Sequence, residues 1–385
     1  MRIAQMLDTL HFGGAQQMQI FLVQSLRPLG IEVTVINLGS STNQSILSQL
    51  EASGARVVNF PFDGMFRPVS FLKLVHFLRA EQFDLLHAYL TYSNTIGSFA
   101  GWLSGIPVIA SVRNAGYNSK TVPMRRLLIE NVAMKYFARR VTANGFSVGE
   151  FAKQRLGDKM IDIIVNSVDL NNDLASDERI DLRKQMTGSP DGIIVFSAGR
   201  LVHQKGFVDL IDAFHAIHSK YSGASLVIAG SGQLESELRS RVNELGLQER
   251  VFFLGFRNDV HRLMQAADIY VNSSYWEGTP VSVLEAMASG LPIIATAVGE
   301  NPYLLDENCG ILVPPKDPSQ LSSALDRLLS SPEDRMALGA AARRKVEHSY
   351  SRETWRNTLL HIYAQVTPLA APYLANTPKS ERVMI

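Results

Sequence analysis

The sequence predicts an α/β protein built from two doubly wound parallel sheets, one after the other. Three observations carry that prediction. Short apolar runs alternate with longer helical patterns along the chain, the rhythm of strand–helix–strand units. The rhythm breaks once, at the polar and turn-rich Asn166–Pro190, NSVDLNNDLASDERIDLRKQMTGSP, and then resumes. A chain of 385 residues is long enough for two separate cores.

Taken in order, the first half offers strands at Ile3–Leu7, Val33–Leu38, Val57–Phe60, Leu85–Ala88, Val108–Val112, Val141–Asn144 and Ile161–Asn166, with helical segments such as Gln16–Leu29 and Ser70–Ala80 between them. The second half offers Gly192–Ala198, Leu226–Ala229, Val251–Leu254, Ile269–Asn272, Ile293–Ala297 and Ile311–Val313. This places a first domain at residues 1–167 and a second at 190–349, with Asn166–Pro190 crossing between them. Tyr350–Val366 reads as an amphipathic helix, and the tail from Asn376 is polar.

Composition narrows the function. Hydrophobic content is 46% and net charge +1, so no global field favours nucleic acid. One cysteine, Cys309, excludes an internal disulfide and suits a reducing cytoplasm. Residues 1–10 lack the long apolar core of a signal peptide, and no apolar run reaches the ~18–20 residues of a spanning helix. No CxxC, HExxH or carboxylate cluster has metal spacing, so no metal and no other cofactor is expected.

The most informative stretch is residues 269–297, IYVNSSYWEGTPVSVLEAMASGLPIIATA, which reads as strand, loop, helix, turn, strand. Thr279 is placed to cap the helix, Pro280 to open it and Gly290 to end it. The helix is almost wholly apolar except for Glu285, a carboxylate that must meet a donor if buried. Glu277 lies in the loop before the helix. Two carboxylates thus flank a helix N-terminus whose free N–H groups and partial positive charge seat phosphate. Carboxylates accept from hydroxyls, so the pair suits a ligand carrying both groups, a sugar nucleotide. On the residues alone, Glu277 as a surface residue and Glu285 as a core ion-pair partner fit equally well.

Other loops add candidates. Gly199-Arg200-Leu201, with Lys205-Gly206 behind it, follows the first strand of the second domain, and Arg200 and Lys205 together can neutralise a diphosphate. VIAGSGQL sets Gly230 in a glycine-rich turn, and Gly255-Phe256-Arg257 follows the next strand. In the first domain, Phe12-Gly13-Gly14 follows strand one, where glycines allow close backbone approach. DLLHAYLTYSN brings His87, Tyr89 and Asn94, and IASVRNAG brings Arg113 and Asn114.

Glu277 and Glu285 enclose seven residues, and EGTPVSVLEAMASGLPIIAT resembles the E-x7-E signature of the GT4 family of retaining glycosyltransferases. SAGRLVHQKGFVDLIDAF resembles the family's donor motif. The resemblance covers nearly the whole chain and is densest from Gly192 to Val313. It implies a GT-B fold, two Rossmann-like domains facing across a cleft, with a C-terminal helix spanning residues 350–372 that packs back on the first domain. It implies a metal-free transfer of a hexose from a nucleoside diphosphate sugar, UDP-linked first and GDP-linked second, to a glycan or lipid-linked acceptor.

By this resemblance Arg200 and Lys205 stabilise the leaving diphosphate, Glu277 holds sugar hydroxyls and Glu285 the ribose. Gly199, Gly230, Gly278, Thr279, Pro280 and Val281 line the donor. Backbone near Phe256 and Arg257 holds the base, unless Phe256 is core, and Gly13 and Gly14 face the phosphates. Many relatives carry H-x-H where this chain has His87 and Tyr89. His87 matches the first, often structural, histidine, and Tyr89 fills the slot at the reacting sugar with different chemistry. Asn94, Arg113 and Asn114 are candidates for the acceptor side of the cleft.

Two further readings fit the same residues: a catalytically silent sugar-nucleotide-binding subunit, which Tyr89 leaves open, and a GT-B epimerase or phosphorylase. Two stretches also combine cations with apolar residues. They are MRRLLIENVAMKYFARR, with Arg125, Arg126, Lys135, Arg139 and Arg140, and FRPVSFLKLVHFLRA, with Arg67, Lys73 and Arg79. Such helices either lie on anionic lipid at the inner face of a membrane or pack on their own sheet.

Overall fold

The computed structural model describes residues 1–11, 14–62, 64, 67–113, 123–170 and 174–374. The chain forms two compact units: Met1–Asn166 with Arg352–Ile385, and Ser167–Ser351.

Unit 1 runs β1 (Arg2–Leu7), α1 (Gly14–Leu26), β2 (Glu32–Asn37), α2 (Gln44–Ala52), β3 (Arg56–Asn59), α3 (Pro68–Glu81), β4 (Leu85–Tyr89), α4 (Thr91–Ser104), β5 (Val108–Val112), α5 (Met124–Val132), a π-helical stretch Ala133–Phe137, β6 (Arg140–Ala143), α6 (Phe146–Leu156) and β7 (Ile161–Ile163). Unit 2 runs α7 (Ser176–Thr187), β8 (Ile193–Ala198), α8 (Phe207–Ile217), β9 (Ala224–Ala229), α9 (Glu235–Glu244), β10 (Val251–Phe253), α10 (Val260–Ala266), β11 (Ile269–Asn272), α11 (Val281–Ala288), β12 (Ile293–Thr296), α12 (Asn301–Leu304), β13 (Ile311–Val313), α13 (Pro318–Ser330) and α14 (Pro332–Ser349). The chain then returns to unit 1 as α15 (Arg352–Val366) and a 3-10 turn, Pro368–Leu374.

All thirteen strands among the described residues pair in parallel, in the orders β3-β2-β1-β4-β5-β6-β7 and β10-β9-β8-β11-β12-β13. Both orders are doubly wound, since the first strand of each sheet sits inside it with later strands on either side. Helices cover both faces, so a strand such as β4 or β5 is buried at every residue. That is why these strands read as continuous apolar runs. In unit 1, Leu22 and Leu26 of α1, Ile46 of α2 and Leu359 and Tyr363 of α15 pack on one face, while Leu74 of α3, Ala100 of α4 and Leu156 of α6 pack on the other. In unit 2, α8, α9 and α13 share one apolar cluster with the sheet. Each fully buried Leu or Ile contributes about 1.5–3 kcal/mol of transfer free energy.

Two boundaries differ from expectation. Asn166–Pro190 is not simply a crossing segment, because Ser176–Thr187 is helical and belongs to unit 2. Its sequence is polar because only Leu182, Arg183 and Met186 are buried. The run MRRLLIENVAMKYFARR is not one helix; it breaks at Ala138 (ψ 136°), and Arg140 begins β6. The polar tail expected from Asn376 lies outside the described residues.

Candidate active site

In unit 2 the strand order reverses between β8 and β11, so the loops that follow these strands diverge and leave a crevice at their carboxyl ends. The first loop carries Gly199, Arg200 and Lys205; the second carries Glu277, Gly278, Thr279 and Pro280.

Backbone hydrogen bonds hold these loops in register. The Gly199 amide donates to Ala229 O at 3.0 Å, Leu201 to Ser231 O at 2.9 Å and Gly230 to Gly255 O at 2.8 Å, so the sheet's bonding continues past the ends of β8, β9 and β10. Gly230 sits at φ +148°, and a Cβ there would lie 1.9 Å from Gly199 O. Gly206 sits at φ +60°, with a Cβ 2.1 Å from Ser273 O. Only glycine permits both approaches. The β8 loop is tied to the β11 loop by Ser273 Oγ donating to Lys205 O at 2.9 Å and by the Tyr275 amide donating to Gln204 O at 2.8 Å.

At this junction Lys205 Nζ donates to Glu277 Oε1 at 2.5 Å, and the same oxygen accepts from Ser274 Oγ at 2.6 Å and Asn272 Nδ2 at 3.4 Å. The two side chains are only 16% and 7% exposed, so each charge depends on the other for compensation. Glu277 Oε2 receives no donor from the described residues. Arg200 is exposed, and its guanidinium pairs with no described residue.

The helix that follows starts one residue later than the sequence implied. Thr279 is buried but is not the cap; Pro280 is, with φ −73° and ψ 105°, and Val281 is the first helical residue. The φ of proline serves either position, and ψ decides. No described side chain caps α11, and although the Val283 amide donates to Pro280 O at 3.1 Å, the Val281 and Ser282 amides are left to meet an anion. Gly290, at φ +69°, ends the helix as expected, with Leu291 N donating to Ala286 O and Gly290 N to Met287 O.

Glu285 departs from expectation in a more useful way. It is half-buried on α11, and its carboxyl is far enough from water that burial alone pushes its pKa up to about 7. The donor that a buried carboxylate demands is not among the described residues, so its acceptor capacity is unspent.

After β10, Phe256 is 58% exposed, which overturns the core-packing reading. The Arg257 guanidinium forks onto Asp259, Nε to Oδ1 at 2.7 Å and Nη2 to Oδ2 at 2.6 Å; that ion pair lowers the Asp259 pKa and raises that of Arg257.

The unit 1 candidates form a cluster of their own, and it is closed. His87 and Tyr89, on β4, are 1% and 3% exposed. His87 Nδ1 meets Tyr363 Oη at 2.9 Å and Tyr89 Oη at 3.0 Å, and Nε2 meets Ser111 Oγ at 2.9 Å. Burial, with Arg113 nearby, holds the His87 pKa well below the usual imidazole range; burial likewise raises the Tyr89 phenol. The cation of Arg113 lies 5.4 Å from the Tyr89 ring centre, and its Nη2 donates to Asn166 Oδ1 at 2.9 Å. Asn94 is 1% exposed and fully spent on β5: its Nδ2 donates to Ser111 O at 2.9 Å, and its Oδ1 accepts from Ser111 N at 3.1 Å. His87, Tyr89 and Asn94 therefore sit inside the unit, with their polar atoms engaged by neighbours. Gly14 is exposed and opens α1; Gly13 and Asn114 lie outside the described residues.

Three participants escaped sequence reading. Asn272 and Ser274 orient Glu277, and their signal was a run of small polar residues at a strand end. Asp8, just past β1, accepts from Tyr92 N at 3.1 Å and Ser93 N at 2.7 Å and so caps α4, next to Leu90 at φ +75°. Nothing local to Asp8 announces that role.

Solved structures share this architecture. Anabaena HepE, determined with UDP, aligns with a TM-score of 0.86 at 21% identity, over 95% of this chain and all of that one. WaaG, a glycosyltransferase of lipopolysaccharide biosynthesis, aligns with a TM-score of 0.71 at 17% identity, over 95% and 99%. Two Rossmann-like parallel sheets with such neighbours define the GT-B class. Residues 178–345 match the family model for glycosyl transferases group 1, and residues 12–172 match that for glycosyltransferase family 4. The chain belongs to these glycosyltransferases. Among relatives, UDP-Gal:alpha-D-GlcNAc-diphosphoundecaprenol alpha-1,3-galactosyltransferase of Escherichia coli is 29% identical over 67% of this chain and 70% of its own. The lipopolysaccharide core biosynthesis glycosyltransferase LpsE of Rhizobium meliloti is 24% identical over 92% and 97%.

Proposed function

We propose that this glycosyltransferase moves a hexose from a UDP-sugar to a lipid-linked or growing glycan acceptor, with retention and without a metal. One observation carries the donor reading: at the unit 2 switch point, an unpaired Arg200 and an ion-paired Lys205 stand beside two carboxylates with acceptor capacity left over, Glu277 Oε2 and Glu285. Two cations answer a diphosphate, and two carboxylates answer sugar and ribose hydroxyls. Arg200 and Lys205 would act most strongly as negative charge grows on the departing diphosphate, which is where fixed charge lowers a barrier. Glu277 would hold the hexose, and its bond to Lys205 would keep the ammonium aimed at the crevice. Glu285 would take the ribose.

The choice of UDP is supported by HepE, solved with UDP and with UDP-glucose, and by the Escherichia coli relative, named for UDP-Gal and a diphosphoundecaprenol-linked acceptor. Retention rests on the E-x7-E spacing of Glu277 and Glu285.

A thermal-shift series with UDP, GDP and ADP sugars tests the donor, since a ligand that binds the native state raises its melting temperature. UDP-sugars should give the largest shift, and transfer should persist in excess EDTA. No shift with any nucleotide sugar rejects the reading; activity lost in EDTA and restored by Mg²⁺ rejects its metal-free part. The burial of both His87 and Tyr89 favours one competitor, a silent binding subunit. UDP-sugar binding with neither donor hydrolysis nor transfer would establish it.

A further inference from the structure

Helices α3, α4 and α5 lie side by side on one face of the unit 1 sheet, with α4 in the middle. α3 and α4 cover the sheet, α3 with Leu74, Val75 and Leu78 and α4 with Ile96 and Ala100, whereas α5, whose one buried residue is Glu130, packs on α4 and the π-helical stretch. α3 and α5 also carry exposed apolar residues on an outer face, and α4 exposes Trp102 and Leu103 at its C-terminal end. Val69 and Leu72 on α3 are 66% and 65% exposed, Trp102 at the end of α4 is 58% exposed, and Met124 and Leu128 on α5 are 63% and 58% exposed. With Leu103, Val132 and Tyr136, these helices and the adjoining π-helical stretch hold eight of the sixteen large apolar residues exposed among the described residues. The spacing of Val69, Leu72, Lys73 and His76 is that of one helical face, as is that of Met124, Arg125 and Leu128.

The charge on this face has one sign. Lys73, Arg79 and Arg125 are exposed, and Lys73 and Arg125 pair with no described residue. The acids of the three helices are withdrawn: Glu81 is bound by Arg2 and Arg56, and Glu130 is buried on Arg155. The bias extends to the unit. Residues 1–166 and 352–385 carry 20 Lys and Arg against 12 Asp and Glu, a charge of +8, whereas residues 167–351 carry 17 against 24, a charge of −7. The chain's overall +1 conceals this split.

We infer that the outer face of α3, α4 and α5 docks on an anionic phospholipid bilayer. Apolar tips set among cations that pair with no described residue, with the acids of the three helices withdrawn, match a surface that accepts side chains at its acyl boundary and offers phosphates above it. The inference does not depend on the identity of donor or acceptor.

Co-sedimentation of the full chain with vesicles of phosphatidylcholine and phosphatidylglycerol in equal parts tests it. Binding should exceed that to pure phosphatidylcholine by at least about tenfold and weaken as salt is raised. Leu72→Glu with Leu128→Glu should abolish it, and Lys73→Glu with Arg125→Glu should reduce it by at least about tenfold. All four positions are exposed, so melting temperature and UDP-sugar shift should stay as in the parent. Met336→Glu, equally exposed but on unit 2, should bind as the parent does. No binding to the anionic vesicles, or equal loss in the Met336 variant, overturns the inference; so does a face variant that binds like the parent. Each of these readouts is separate from turnover, so the donor reading could stand or fall without it.

Discussion

Both sheets place their first strand inside, β1 in unit 1 and β8 in unit 2, and both gather polar side chains where the strand order reverses. In unit 1 the gathering is closed. His87, Tyr89, Tyr363, Ser111 and Asn94 satisfy one another, and α15, returning from the end of the chain, brings the tyrosine that closes the set. In unit 2 it is incomplete. Among the described residues Glu285 has no donor, Glu277 Oε2 receives none, and Arg200 has no partner. Topology supplies the location in both units, but the capacity left over differs in kind: in unit 1 it lies on the neutral amides of Gln5 and Gln19, sealed at 0% exposure, and in unit 2 on charged side chains. A site for a polar ligand is recognised by what the protein leaves unsatisfied, at a cost to its own stability.

The sharpest way to break this comparison is to remove charge from each side. Lys205→Ala and Arg200→Ala should lower kcat/KM by about 10²–10³, the range for a preorganised group facing developing charge. Arg200→Ala should leave melting almost unchanged, because its exposed guanidinium pairs with no described residue. Lys205→Ala should also destabilise, because it strands Glu277 at 7% exposure. Near-normal turnover in both variants would remove them from the mechanism.

Glu285 should show the trade between function and stability directly. Its pKa is raised in the fold to about 7, so the neutral form is favoured. The fold is least penalised below the unfolded carboxylate pKa and loses stability as pH rises through 7. Glu285→Gln should therefore melt higher than the parent at pH 8, by up to about 3 kcal/mol, with the gain nearly gone by about pH 4.5. The same variant should bind UDP about ten- to a hundredfold more weakly. A variant that loses stability at pH 8 would mean that Glu285 has a donor within the protein.

His87 predicts the opposite pH limb. Burial lowers its pKa, so the fold holds it neutral while the unfolded chain takes up a proton below its ordinary value near 6.5. Stability should fall as the pH drops below 6.5 through this residue. In His87→Gln that part of the acid limb should flatten. An unchanged slope in melting temperature against pH would show that His87 is not held neutral.

How far the sequence foretold this contrast depends on what each feature needed. The strands were legible because sheets covered on both faces demand unbroken apolar runs. Helix α7 was not, since a helix that buries only three residues has almost no pattern to read. Glu277 and Glu285 were legible from spacing along one loop and helix. That Glu277 would be held by Lys205, a residue 72 positions earlier, is tertiary information. So is the closure of His87 by Tyr363, 276 residues away. The shift of the cap from Thr279 to Pro280 turned on ψ, which composition does not encode.

Tyr89 gives the smallest expected effect and the finest test of the contrast. By resemblance it fills the slot nearest the reacting sugar, yet it lies at 3% exposure with its hydroxyl on His87 Nδ1 at 3.0 Å and its ring 4.3 Å from the imidazole. Tyr89→Phe removes only the hydroxyl. His87 Nδ1 keeps Tyr363 Oη at 2.9 Å, so no nitrogen is stranded. The loss should be that of one replaceable hydrogen bond, about 1 kcal/mol of stability, with turnover changed no more than about threefold. A drop in kcat of tenfold or more, with melting unaltered, would place the phenol at the reacting sugar and make unit 1 a second source of catalytic groups. Measuring melting and kcat on the same preparation decides the point, because a structural hydroxyl moves the first and a catalytic one the second.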